Sequence, residues 1–109
     1  MRIIVVGAGE VGTYIADRLS RQEHDIALIE LDPERYRQID AELDVLAING
    51  SGTDSGVLKK AGIADTDLLV AATNKDEINL FSALLARQAG VGKTIVRVES
   101  RKLRSKEVS

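Results

Sequence analysis

The chain contains no cysteine and only one histidine, His24, which excludes disulfides, thiolate chemistry and a histidine-rich metal cluster. Aromatic residues make up only 3% of the sequence, and the net charge of −2 provides no basic surface for a phosphate backbone. No apolar run approaches the roughly 20 residues that a membrane span requires. These absences argue against a nucleic-acid partner and a resident metal, and they predict a soluble domain suited to a reducing compartment.

The most informative segment covers residues 2–32, where an apolar run is followed by a glycine-rich turn, a helical stretch and a second apolar run. The turn reads Gly7-Ala8-Gly9-Glu10-Val11-Gly12. In a dinucleotide-binding βαβ unit, these glycines let the chain turn off the strand, let backbone approach a pyrophosphate and let the helix pack tightly. The phosphates would lie at the helix N-terminus, where unpaired N–H groups favour negative charge. The alternative is an ordinary strand-to-helix turn without a ligand.

Glu30 ends the second apolar run, 18 residues after Gly12. This spacing is close to the roughly 20 residues expected for the acid that binds the adenosine ribose. A carboxylate there accepts hydrogen bonds from ribose hydroxyls and repels a 2′-phosphate, so we expect NAD(H) or another adenine nucleotide without that phosphate. Asp32, followed by Pro33 and Glu34, is predicted to be a helix N-cap rather than a ligand contact.

Strands and helices continue to alternate after this unit. Apolar runs predict three more strands, at 44–48, 67–72 and 94–98. Periodic segments predict the intervening helices, at 33–43, 57–61 and 74–90. The pattern predicts a single α/β domain over residues 1–109, with a Rossmann-like, doubly wound parallel sheet of about five strands in the order 3-2-1-4-5.

The last predicted helix carries two further expectations. Asn74 and Glu77 have the spacing of a capping pair. The apolar face of the helix is expected to comprise four residues, Ile78, Phe81, Leu84 and Leu85.

Ligand is expected where the strand order reverses, beyond the ends of the first and fourth strands. Gly50 and Ser51, in the loop after the third strand, could flank an adenine ring. Thr73 and Asn74, after the fourth strand, could reach the phosphate or the second sugar. Ordinary loop and cap chemistry explains these four residues equally well.

Arg97 interrupts the last expected strand. A charge in a buried strand needs a partner, and a phosphate, Glu99 and Asp76 are candidates. The basic residues at 101–106 are expected to form a solvated start of the next helix.

Taken together, these features resemble the nucleotide-binding N-terminal domain of TrkA-type potassium uptake regulators, also called RCK or KTN domains. The resemblance covers nearly the whole chain and is most specific in Ala61-Gly-Ile-Ala-Asp65 and Thr73-Asn-Lys-Asp-Glu-Ile-Asn79. It implies a non-enzymatic regulator that binds NAD(H) or ATP/ADP and passes the bound state to a potassium channel or transporter subunit. Such a regulator is cytoplasmic and lies at the inner face of the membrane through that partner.

The resemblance also assigns binding positions to residues of this chain. They are Gly7, Ala8, Gly9, Glu10, Val11, Glu30, Thr73, Asn74 and Arg97. Some ATP-responsive relatives carry a basic residue at the position of Glu10, so the acid here favours NAD(H), with ATP or ADP left open. Family domains continue through another helix and a sixth strand that help to pair subunits. We therefore expect a homo-oligomer in the intact protein and interpret this chain as truncated before the sixth strand or as a minimal engineered domain.

A fragment of an NAD-dependent oxidoreductase is the main alternative. Such an enzyme needs a proton donor or acceptor beside the nicotinamide, together with a substrate pocket. Tyr14 and Tyr36 fall on the first two predicted helices, and His24 falls in a loop. A methyltransferase fits the first 32 residues but explains neither 49–53 nor 73–79. We therefore expect a ligand sensor without catalytic residues.

Overall fold

The computed structural model describes residues 1–99, so the predicted solvated segment at 101–106 lies outside the described residues. Strands and helices alternate as predicted, and the predicted strand ends agree within two residues. The strands are β1 (Arg2–Val6), β2 (Asp25–Glu30), β3 (Leu46–Asn49), β4 (Leu68–Ala71) and β5 (Lys93–Val96). The helices are α1 (Glu10–Ser20), α2 (Pro33–Glu42), α3 (Ser55–Lys60) and α4 (Asp76–Gln88), with a short 3₁₀ turn at Ile63–Asp65.

The five strands form one parallel sheet in the order β3-β2-β1-β4-β5, which confirms the predicted topology. Val6, at the carboxyl end of β1, aligns with Ile29 of β2 on one side and with Ala71 of β4 on the other. The chain passes from β1 to β2 on one side and from β4 to β5 on the other, so a crevice opens beyond the carboxyl ends of β1 and β4.

Alternate residues of the strands point into two separate cores, because side chains in a strand alternate between the faces of the sheet. On one face Val5 and its neighbours pack under α1 and α2, with Ala16 and Ile39 buried. On the other face Val6 and its neighbours pack under α3 and α4, with Leu58 and Ala86 buried. Both faces of the sheet are therefore covered along most of the strands. No helix among residues 1–99 is long and apolar enough to cross a membrane.

Helix α4 packs on the sheet through small and polar residues. Asn79, Ser82, Ala83 and Ala86 are its buried residues. The predicted apolar face is wrong for Phe81 and Leu84, which are 47% and 51% exposed, although Leu85 does pack against the core. The small side chains bring α4 close to the sheet, and the polar ones find partners there, so hydrophobicity alone does not identify the inward face.

The helix starts also differ in how well the sequence predicted them. Asp32 caps α2, since its carboxylate accepts a hydrogen bond from the Arg35 N–H at 3.2 Å and Pro33 follows it. The predicted capping pair of Asn74 and Glu77 is wrong, because α4 begins one residue later, after Lys75, whose side chain makes no capping bond. Asn79, and not Glu77, is the residue of α4 that bonds back to the preceding loop.

Candidate functional site

A cleft of about 540 Å³ lies at the carboxyl ends of β1, β2, β3 and β4, at the predicted switch point of the sheet. Its floor is the glycine-rich turn after β1, and its walls are the loops after the other three strands together with Arg97, which directly follows the last strand. This volume falls within the range of roughly 300–1,000 Å³ that is usual for small-molecule sites. The cleft is thus large enough for a nucleotide and lies where parallel α/β sheets bind ligands.

Two of the three glycines of the turn perform the structural tasks expected of them, and the third faces open space. Gly7 has a φ of +99°, which an L side chain rarely adopts, and this lets the chain turn off β1. Gly12 faces the turn so closely that a Cβ atom would lie 1.7 Å from the Gly7 carbonyl oxygen. Gly9 has open space where its Cβ would be and lines the cleft. The backbone beside Gly9 is therefore accessible to a ligand at the start of α1.

Glu30 joins the glycine turn to the loop after β2. It is only 7% exposed, and its Oε1 accepts a hydrogen bond from the Ala8 N–H at 2.7 Å while Oε2 accepts one from the Asp32 N–H at 2.8 Å. These bonds satisfy a carboxylate that would otherwise be costly to bury. Each carboxylate oxygen still has a lone pair that can accept a hydrogen bond from a ligand hydroxyl in the cleft.

The end of β3 holds Glu30 in this position. The Asn49 side chain donates from Nδ2 to the backbone oxygens of Glu30 and Leu31, at 2.9 and 3.0 Å. The Gly50 N–H also donates to the Glu30 carbonyl oxygen at 3.0 Å. The end of β3 consequently holds the backbone of Glu30, while N–H groups of the glycine turn and of the loop after β2 hold its carboxylate.

The opposite wall of the cleft is organised by Asn79, which is fully buried on α4. Its Oδ1 accepts hydrogen bonds from the Thr73 N–H at 2.9 Å and from Thr73 Oγ1 at 2.6 Å. Its Nδ2 donates to the backbone oxygens of Thr73 and Arg97, at 3.0 and 2.9 Å. One amide therefore ties the loop after β4 to the end of β5, and both tied residues line the cleft.

Arg97 follows β5 instead of interrupting it, so the prediction of a charge inside a buried strand is wrong. Its side chain is 35% exposed and its Nη2 donates to Glu99 Oε1, one of the partners that the sequence suggested. The Glu99 N–H in turn donates to Asp76 Oδ1 at 2.9 Å. The chain beyond β5 is in this way fastened to the first turn of α4.

Helix α4 also holds the loop after β3. Ser82, also fully buried on α4, donates from Oγ to the Gly52 carbonyl oxygen at 2.8 Å. Within the loop, Ser51 Oγ and Thr53 Oγ1 lie 2.7 Å apart. Helix α4 thus positions two of the loops that form the cleft.

Ten of the twelve residues predicted as binding residues line the cleft. They are Gly7, Gly9, Glu10, Val11, Glu30, Gly50, Ser51, Thr73, Asn74 and Arg97. The other two, Ala8 and Gly12, are buried beneath it, where Ala8 bonds to Glu30 and Gly12 packs against Gly7.

The cleft also contains residues that sequence reasoning did not identify as cleft residues. Arg35, Lys75 and Ile78 are the chief examples. Arg35 Nη1 lies 3.8 Å from Glu30 Oε1, so an acid and a base stand side by side on this wall. The only sequence signal for Arg35 is its place in the first turn of the helix that follows the acid.

These features define a class of protein, a Rossmann-like α/β domain with a glycine-rich turn and an acidic second strand end at its switch point. Within that class, the chain belongs to the TrkA-N domain family, whose model matches residues 3–106.

The relatives bear the names of potassium uptake proteins. A Trk system potassium uptake protein TrkA homolog from Archaeoglobus fulgidus is 45% identical over 100 residues, which cover 92% of this chain. The same match covers 22% of that relative, so the chain spans less than a quarter of its length.

Two solved structures share the fold. The Kef C-terminal domain of Shewanella denitrificans, in an AMP-bound form, superposes with a TM-score of 0.72 at 23% identity and covers 87% of this chain and 57% of that one. A protein from Aeromonas hydrophila, described as a short chain dehydrogenase/reductase family oxidoreductase, has a TM-score of 0.61 at 21% identity, with coverage of 80% and 51%. An AMP-bound domain and a protein named as an oxidoreductase therefore share this architecture, and the fold alone does not indicate a function.

Proposed function

We propose that this chain is the regulatory, adenine-nucleotide-binding domain of a potassium uptake system and that its ligand is NAD(H). The observation that carries the proposal is the buried Glu30 carboxylate, fixed at one end of the cleft and bonded to the turn that would receive the phosphates. Ribose binding and phosphate binding are then parts of one rigid unit. Membership of the TrkA-N family and the AMP held by a protein of this fold support the same reading.

The cleft suggests how the ligand lies. The adenosine ribose would donate its hydroxyl hydrogens to Glu30, and the adenine would lie between the loop after β2 and Gly50–Ser51. The pyrophosphate would lie over Gly9, Glu10 and Val11, where the first N–H groups of α1 and its dipole favour negative charge. The second half of the ligand would then extend toward Thr73, Asn74 and Arg97.

The charges in the cleft favour a pyrophosphate over a triphosphate. Glu10 contributes a carboxylate in the first turn of α1, at the place where further phosphate charge would accumulate. Lys75 and Arg97 supply positive charge on the opposite wall. NAD(H) carries one pyrophosphate and no terminal phosphate group, so it meets less repulsion from Glu10 than ATP does.

A regulatory role needs a route from the ligand to the rest of the protein, since a ligand shifts an equilibrium only through contacts that differ between states. Asn79 provides such a route, because it bonds to Thr73 and to Arg97, which would both face the ligand. The names of the relatives support potassium uptake as the regulated process. In the full-length protein we infer a homo-oligomer at the cytoplasmic face of the membrane, bound to a potassium channel or transporter subunit.

An oxidoreductase fragment remains the competing function. The cleft residues between 1 and 99 include no histidine, cysteine or tyrosine to exchange a proton beside a nicotinamide. We therefore infer that the domain binds the cofactor as a signal and does not turn it over.

Calorimetric titration of the domain with NADH, NAD, ATP, ADP, NADPH and S-adenosylmethionine at one ionic strength tests the proposal. We expect NADH or NAD to bind most tightly, and no product to form during prolonged incubation. Preference for ATP or ADP would be consistent with a regulatory role but would reject NAD(H) as the ligand. Sustained hydride or methyl transfer would reject the regulatory function.

A further inference from the structure

The ribose end of the cleft holds a basic side chain that the proposed function does not use. Arg35 lines the cleft beside Glu30, with its Nη1 3.8 Å from Glu30 Oε1, and its side chain is 49% exposed. At this distance the two groups attract each other without a direct hydrogen bond. The guanidinium therefore keeps its N–H donors available to a group in the cleft.

Both charges are attached to one short, internally bonded segment. Glu30 Oε2 accepts from the Asp32 N–H, and the Asp32 carboxylate accepts from the Arg35 N–H. Pro33, between them, restricts the backbone further. The turn thus fixes the Glu30 carboxylate and the backbone of Arg35 relative to each other, and a ribose bound at Glu30 would bring its 2′ position within reach of the Arg35 side chain.

Glu30 and Arg35 are expected to have opposite effects on the binding of a nucleotide with a 2′-phosphate. A 2′-hydroxyl donates to the carboxylate, whereas a 2′-phosphate is repelled by it and attracted by a guanidinium, which can bind two phosphate oxygens at once. We propose that Arg35 is a specificity-determining residue of the nucleotide site: Glu30 excludes 2′-phosphorylated nucleotides, and Arg35 sets the strength of that exclusion. When Glu30 loses its charge, Arg35 becomes the binding group for the 2′-phosphate. This inference rests on the proposed binding of an adenine nucleotide at Glu30.

Two pairs of probes that differ only in the 2′-phosphate measure the effect, NADH against NADPH and AMP against adenosine 2′,5′-bisphosphate. The quantity of interest is the ratio of the two dissociation constants within a pair. The variants are Arg35→Gln, Glu30→Gln and the double variant. Arg37→Gln is the matched control, because Arg37 is an exposed arginine of the same helix that does not line the cleft.

We expect the original protein to bind the 2′-hydroxyl member of each pair at least about tenfold more tightly, the size of one charge-assisted interaction. Arg35→Gln should widen this ratio severalfold, and Arg37→Gln should leave it unchanged. Glu30→Gln should bind the 2′-phosphorylated nucleotide more tightly, which brings the ratio near one or reverses it. The double variant should lose this tighter binding.

Equal ratios for Arg35→Gln, Arg37→Gln and the original protein would overturn the role of Arg35. So would a double variant that binds NADPH as well as Glu30→Gln does. If Glu30→Gln fails to fold, the comparison of Arg35→Gln with Arg37→Gln decides alone. If the unsubstituted protein binds none of the four nucleotides, the proposed function is rejected, and this inference is rejected with it.

Discussion

At the scale of single residues, Gly9 and Gly12 belong to one motif but differ in the space that surrounds them. Gly9 has nothing within 4 Å of its would-be Cβ, whereas Gly12 would place a Cβ 1.7 Å from a backbone oxygen. We propose that the first is small because a ligand must approach it, whereas the second is small because the protein itself occupies the space. Binding and stability measurements should therefore separate them.

We predict that Gly9→Val abolishes most nucleotide binding and leaves the fold in place. The backbone of Gly9 is extended, with φ −74° and ψ −165°, which valine adopts, so the free energy of unfolding should fall by only about 1 kcal/mol through the poorer helix cap. The isopropyl group would occupy the approach to the first turn of α1. Titration with NADH and thermal unfolding together check this.

Gly12→Ala is the contrasting variant. Its methyl group would overlap the Gly7 carbonyl, so we expect a loss of more than about 2 kcal/mol of stability, with loss of binding as a consequence. A Gly9→Val protein that unfolds as readily as Gly12→Ala would contradict the assignment of Gly9 to the ligand.

Arg97 yields a prediction in which affinity changes and stability does not. Its side chain is 35% exposed and pairs with Glu99, which is 53% exposed, and exposed ion pairs contribute less than about 1 kcal/mol. Arg97→Ala should accordingly leave the melting temperature nearly unchanged and weaken NADH binding by about tenfold, through one lost charge-assisted contact.

The matched control for Arg97 is Arg87→Ala in the last turn of α4, an exposed arginine outside the cleft. It should change neither quantity. Unchanged affinity in Arg97→Ala would remove Arg97 from the proposed site.

At the scale of elements, α4 is the helix that holds the cleft together. Asn79 makes four hydrogen bonds to Thr73 and Arg97, and Ser82 bonds to Gly52, so one helix face fixes three cleft segments. A fully satisfied polar network of this kind specifies one arrangement of the loops.

We predict that Asn79→Ala lowers the free energy of unfolding by about 2 kcal/mol, because it removes a fully buried amide and leaves its part-buried partners without these hydrogen bonds. It should also raise the dissociation constant for NADH, because Thr73 and Arg97 lose the hydrogen bonds to Asn79 that hold both of them in place. Denaturant unfolding measures the first effect and calorimetry the second. Asn74→Ala, an exposed amide of the same loop, should change stability by less than about 0.5 kcal/mol.

The elements also show why some of the structure was predictable and some was not. Strands such as β1 and β2 are short apolar runs between glycines and caps, and their alternation with helices predicts the sheet order. The inward face of α4 was not predictable in this way. Asn79 and Ser82 are buried because they form hydrogen bonds with residues that are distant in sequence. Arg35 was missed for the same reason, since only the folded turn brings it to Glu30.

At the scale of the whole molecule, the cleft joins residues at the ends of all five strands with residues of α1, α2 and α4 that are distant in sequence. A ligand that bonds to the glycine turn, Glu30 and the loop after β4 would contact both sides of the switch point. Such a ligand binds the folded state and has no equivalent site in the unfolded chain. Binding should consequently stabilise the entire domain and not only the loops that touch the ligand.

We predict that NADH at about 100 times its dissociation constant raises the free energy of unfolding by about 2.7 kcal/mol, which for a domain of this size corresponds to a rise of about 10 °C in melting temperature. Differential scanning calorimetry with increasing NADH measures the shift, and the melting temperature should rise with the logarithm of concentration. NADPH at equal concentration should give a smaller shift, because Glu30 repels its 2′-phosphate, and Gly9→Val should give almost none with either nucleotide. Equal shifts with NADH and NADPH would contradict the placement of the ribose at Glu30, whereas an equal shift in Gly9→Val would place the ligand somewhere other than the glycine turn.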